Sequence, residues 1–141
     1  MNERGMLTSF LVCKIGVALA ALAFLGIILS MQASVGRLSE REDLAQLADT
    51  VAGAIKKIDT LPCEAEIRRD LLSIPRQFEI VVTGERSSGT QVIRVSIIAD
   101  GEVERVLMLA NQVNEGEFTL TVKNPSIIHL TKAGTILLEL V

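Results

Sequence analysis

Aromatic residues are scarce in this sequence: four Phe and no Trp or Tyr among 141 residues. Surfaces that bind sugars or stack on nucleobases rely on aromatic platforms, so both functions are disfavoured. A net charge of −3 with no basic cluster argues further against a nucleic-acid partner. There is one histidine, His129, and no HxxxH or paired-cysteine motif, so neither a metal site nor a cofactor site is legible. Two cysteines do not make a disulfide framework. Cys13 falls within the apolar N-terminal region, and Cys63, fifty residues later, is expected to be a free, half-buried thiol. Proline is missing until Pro62, so nothing obliges a helix to break over the first 61 residues.

What is abundant is aliphatic. Ile15–Met31 (IGVALAALAFLGIILSM) carries no charge, and Met6–Cys13 extends it, interrupted only by Lys14. A bilayer core of about 30 Å needs roughly 20 apolar helical residues. A helix satisfies its own backbone polar groups, so it is the form such a run takes in lipid. Residues 6–33 are therefore predicted to be a transmembrane helix, preceded by a cytoplasmic leader over residues 1–5. Lys14 sits close enough to the N-terminal end for its long stem to carry the ammonium to the interface. Arg4, Lys14 and the terminal amine, against a mixed-charge C-terminal flank, favour an N-in, C-out orientation with the rest outside the cell membrane.

Three readings of the first 35 residues compete: a cleaved signal peptide, an uncleaved signal anchor, and a leader cut before the apolar run. The first lacks small residues at a suitable cleavage site, since cutting after Ala33 puts Met31 at −3. The third rests on Arg4-Gly5 before Met6, followed by a long apolar helix. In this the chain resembles the archaeal type IV pilin-like family, whose class III signal peptidase reads a basic-plus-Gly junction. Phe10 stands where the bacterial relatives carry Glu, and the Gln common near the start of archaeal examples is absent. The resemblance covers the architecture of the whole chain, but only two junction residues carry it as a motif. It implies processing at Arg4, Gly5 and Met6. It also implies helices that pack together as a filament core, with Gly16, Ala20, Ala23 and Gly26 permitting close approach. Ala18 and Ala21 are further small residues on the same run.

Residues 34–60 read as an amphipathic helix or stalk, with Leu38, Leu44, Leu47, Val51, Ile55 and Ile58 along one side. Ser39 and Glu42 form a possible capping box, so a break between Ala33 and Ser39 is the alternative to one long helix. Residues 61–76 read as a short helix or linker, with Glu64–Leu72 as the helical or turn segment and Pro75 closing it.

From residue 77 the period becomes two, and residues 77–141 are predicted to be an antiparallel β domain. Phe78, Ile80 and Val82 mark the inner face of one strand, and Ile93, Val95 and Ile97 that of the next. Gly84–Gly89 is expected as a flexible loop between them, and Asp100-Gly101 as a two-residue hairpin turn. Val103–Ala110 is apolar on both faces near its end and reads as a central strand. Phe118, Leu120 and Val122 face inward on a fourth strand, and a last hairpin turns about Lys132-Ala133-Gly134. The fold class is α+β: a long N-terminal transmembrane and amphipathic helix, then a small antiparallel sheet or β-sandwich.

Catalysis finds no foothold in these residues. His129 lies in an aliphatic strand, and Ser87 and Ser88 lie in a turn. Glu102, Glu104 and Glu117 are spaced as solvated faces rather than as a calcium loop. The chain is read as a non-enzyme with no small-molecule substrate or cofactor. Its partners would be the membrane and other pilin-like subunits, itself included. The competing function is a single-pass membrane protein whose β domain binds another envelope component without polymerising.

Overall fold

A computed structural model describes residues 3–141, so Met1 and Asn2 of the leader expected over residues 1–5 lie outside the described residues. One helix, α1 (Glu3–Thr60), runs without a break through Gly36 and the Ser39–Glu42 box, so the capping-box alternative is not used. Seven strands follow: β1 (Ala65–Asp70), β2 (Glu79–Ser87), β3 (Thr90–Ile98), β4 (Glu102–Leu109), β5 (Phe118–Lys123), β6 (Ile127–Ala133) and β7 (Thr135–Leu140). They form two antiparallel sheets, ordered β4-β3-β2-β5 and β1-β6-β7. The α+β class with a long leading helix is the observed one.

Contacts divide the chain into two units, residues 1–39 and 40–141. Within the first, every described residue is exposed. The second has a single core. Leu44, Leu47, Val51, Ile55 and Ile58 on the helix pack with Ile80, Val82, Ile93, Val95 and Ile97 of the four-stranded sheet and Ile128, Leu130, Ile136 and Leu138 of the other. The helix adds Ala48 and Ala54 to this face, small residues that let strands approach. Leu38, expected on the same stripe, is 61% exposed and lies in the first unit.

Sequence expectation and structure part at several places. Residues 65–70 form a strand, not the helix or turn expected for Glu64–Leu72, so the β fold begins before residue 77. Its composition (AEIRRD) suits a helix by propensity, but pairing of every residue with β6 overrides that weak preference. Only Ile67 contributes to the core; the charges lie outside, as befits an edge strand. β4 is an edge strand and not central: Val106 and Met108 lie on the uncovered face of the sheet. Cys63 is exposed, not half-buried, and no disulfide is formed.

The hairpin turns also exchange roles. The ladder of β2 and β3 closes to Ser87 opposite Thr90, leaving only Ser88 and Gly89 as loop. Both have positive φ, 51° and 81°, the left-handed pair that a type I′ turn requires. At Asp100-Gly101 the ladder instead stops at Ile98 opposite Glu102, and Ala99 N–H bonds Gly101 O across a three-residue loop.

Gly84 faces the core between Ile93 and Phe118, its cross-strand partners. A Cβ there would stand 2.4 Å from Phe118 Cε1 and 2.8 Å from Gln91 Nε2, so the Phe118 ring occupies the missing side chain's place. Gly84→Ala is expected to displace that ring and destabilise the domain by about 1–3 kcal/mol, measured as a lower urea midpoint. An unchanged midpoint would mean that the ring does not fill this space.

Candidate functional sites

Two regions of the structure bear on function: the exposed apolar part of α1, and the polar contacts that organise the β domain. In the first, Arg4, Gly5 and Met6 lie in the opening turns of the helix. The Thr8 hydroxyl donates to Arg4 O at 2.7 Å and Gly5 O at 3.1 Å, so these two carbonyls are tied into the helix. At about 100° per residue, Gly16, Ala20 and Ala23 fall within a stripe some 60° wide, and Gly26 lies about 60° beyond Ala23. Ala18 and Ala21 lie on the opposite side. A Cβ on Gly16 or Gly26 would meet nothing within 4 Å, which leaves both backbones open to close approach. Lys14 Nζ lies 4.7 Å from the centre of the Phe10 ring one turn earlier, where the ring face offsets part of the lost hydration. Phe10, the residue that departs from the bacterial pattern, therefore has a local partner in Lys14.

In the second region, the C-terminal end of α1 is locked to the sheets by two side chains. Lys132 Nζ donates to Leu61 O at 2.5 Å, with longer contacts to Ile58 O and Asp59 O at 3.4 Å. A cation on the last carbonyls completes the helix end where no C-capping glycine exists. The Asp59 carboxylate accepts from Ala110 N–H at 3.1 Å and from Asn111 N–H at 2.9 Å, pinning the end of β4. Nearer the start of the second unit, Arg76 bridges Glu40 on the helix and Asp100 in the β3–β4 loop. Arg105, which points inward from edge strand β4, is paired with Asp49 of the helix at 2.8 Å. The buried amide of Gln91 holds the loop after β4, donating to Val113 O and Gly116 O and accepting from Val113 N–H. These partners lie 22 to 74 residues apart, so no local sequence pattern could have flagged them.

His129 has more than an apolar neighbourhood. It sits on the outer face of the three-stranded sheet, opposite Arg68 of β1 and Glu139 of β7. Its Nε2 lies 2.5 Å from Glu66 Oε1 and its Nδ1 lies 3.1 Å from Glu139 Oε2. The hydrogen bonds to Glu139 and Glu66 raise its pKa above the ordinary 6.5. Because the two carboxylates approach opposite edges of the ring, they cannot share one metal ion with it. Among the described residues, no group of His, Cys, Asp and Glu is arranged to hold a metal.

A raised folded-state pKa means that the imidazolium stabilises the fold fully below pH 6.5 and progressively less as pH rises through the folded value. The melting-temperature gap between wild type and His129→Leu is thus expected to be widest below pH 6.5 and to narrow on going alkaline. A gap independent of pH would show that the pairing carries no net charge.

No protein-family model matches the chain, and no curated protein or solved structure matches it. Among the described residues, the structure itself establishes one helix near the N-terminus long and apolar enough to cross a membrane, followed by a two-sheet β domain.

Proposed function

We propose that the chain is a membrane-anchored, extracytoplasmic pilin-like structural subunit of a cell-surface type IV-like filament. One observation carries this reading. The same helix is wholly exposed and apolar in its first part and is the buried spine of a β domain from Leu44 onward. A helix that is apolar all round requires either lipid or other apolar helices around it. A subunit that moves from membrane to filament core needs both environments in turn. The small-residue stripe Gly16, Ala20 and Ala23 supports the second environment, because helix association in lipid depends on close packing. The Arg4-Gly5-Met6 junction supports release from the first, through removal of the leader.

The test is the composition of filaments sheared from cells that express the protein. Finding this chain as a component, and losing those filaments on deleting its gene, supports the reading. Recovery of the chain only in the membrane fraction, with filaments unaffected by the deletion, overturns it. That outcome leaves an anchored β domain that binds another envelope component.

A further inference from the structure

The four-stranded sheet has two open edges, and their geometry fits one to the other. Ala110 N–H points away from β3, since it bonds Asp59. By the alternation of an antiparallel ladder, Glu104, Val106 and Met108 likewise turn their backbone groups outward. On the other edge, Asn124 N–H bonds Phe78 O, toward β2. Thr119, Thr121 and Lys123 therefore turn theirs outward. In both sets the side chains lie on the uncovered face, so the two edges could join without reversing the faces of the sheet. The edge of β7 is different: Ile136 N–H and Leu138 N–H, which point away from β6, bond Gln112 O and the Asn114 side chain. That edge is blunted along its middle, whereas β4 is occupied only toward its two ends, where Arg105 Nη1 donates to Glu104 O at 3.0 Å and Asp59 holds Ala110 N–H, leaving the outward groups of Val106 and Met108 between them.

We propose that β4 of one copy pairs antiparallel with β5 of a second copy, continuing the four-stranded sheet from subunit to subunit. The register sets Glu104 opposite Lys123 of the second copy, Val106 opposite Thr121, and Met108 opposite Thr119. On the inner-face register, Leu107 falls opposite Leu120 and Leu109 opposite Phe118. Charge favours the same partner edge: Glu102 and Glu104 lie at one end of β4, where Glu104 also pairs with Arg94 of β3 at 2.8 Å, and Lys123 lies at the matching end of β5 opposite Glu79. Val106 and Met108, 54% and 67% exposed, gain cover.

Direction chooses against the two-fold alternative. The Glu40–Thr60 part of α1 runs alongside β4 in the same sense, since Asp49 pairs with Arg105 and Asp59 with Ala110. Antiparallel pairing of β4 with itself would set these helix segments head to tail. β5 runs opposite to β4 in the sheet, so β4–β5 pairing between copies keeps the helices parallel. Copies anchored in one membrane need that arrangement, and to this extent the inference rests on the proposed function. A contact between two different surfaces closes into a ring or propagates as a helix, the second being a filament.

Zero-length carbodiimide coupling of the full chain in membranes and in sheared filaments tests this, using a mixture of heavy- and light-isotope copies. Within one copy, Lys123 and Glu104 lie three strand spacings apart, about 14 Å, too far for direct coupling. A mixed-isotope peptide joining Lys123 to Glu104 is the expected product. Val106→Pro removes an outward N–H without breaking a bond to β3, so it should abolish the product while leaving the melting temperature unchanged. The charge pair gives a second test: Glu104→Lys or Lys123→Glu alone should lose the product, and the double exchange should restore a coupled pair. Filaments that contain the chain but couple Lys123 only to Glu79 of the same copy would overturn this pairing and leave the proposed function standing. Absence of both filaments and coupling would overturn the two together.

Discussion

Leu47→Ala is expected to destabilise the β domain by about 2–5 kcal/mol, a large share of the roughly 5–15 kcal/mol that holds a typical domain together. Leu47 is fully buried, on the helix face that packs with residues of both sheets. Truncation removes apolar contact and leaves a cavity whose walls belong to a helix and two sheets, which cannot all collapse into it. With neither Trp nor Tyr in the chain, the transition is best followed by far-UV circular dichroism, where a loss of about 3 kcal/mol corresponds to roughly 15 °C. Leu38→Ala is the matched control, because Leu38 has the same chemistry but is exposed. Equal effects from the two substitutions would show that the helix is not the spine of the domain.

Leu22→Arg combined with Leu25→Arg is expected to abolish stable membrane association. Ile15–Met31 contains nine Ile, Val, Leu and Phe residues. At about −0.3 to −0.6 kcal/mol each near the helix centre, they contribute roughly −3 to −5 kcal/mol to insertion. Each central arginine costs about 2.5–3.5 kcal/mol on the same scale, so two outweigh the whole apolar contribution. Lys14 escapes this cost by its position near the N-terminal end of the run. The measurement is carbonate extraction of membranes. Wild type should stay in the pellet and the double variant should move to the supernatant. A double variant that remains in the pellet would mean that something other than this helix holds the chain.

The helix was legible because its two requirements are local. The missing prolines before Pro62 permit it, and the spacing from Leu44 to Ile58 gives its buried face. Leu38 was misplaced because spacing alone cannot say where covering strands stop. The inner faces of β2 and β3 were legible from strict alternation at Ile80, Val82, Ile93, Val95 and Ile97, each fully buried. β1 was not, because a strand with one apolar inward residue carries no period-two signal, and its strandness comes wholly from β6. β4 misled for the opposite reason. Val106 and Met108 suggested burial on both faces, whereas one face has no cover within a single copy.

The side-chain locks were out of reach by their nature. Lys132 on the end of α1, Asp59 on the end of β4 and Gln91 on the loop at Val113 each join segments that meet only after folding. His129 was placed on the right strand, but its carboxylate partners lie on two other strands. The processing proposed at Arg4, Gly5 and Met6 rests on the sequence, and the geometry adds only that these residues lie in a helix in which the Thr8 hydroxyl holds the Arg4 and Gly5 carbonyls.

The intact mass of the chain purified from its native cells tests the central claim most directly. A mature protein that begins at Met6, with the leader gone and the apolar helix kept, is the expected result for a subunit released from membrane into filament. A chain that retains Glu3, Arg4 and Gly5 would contradict that account and leave an unprocessed anchor.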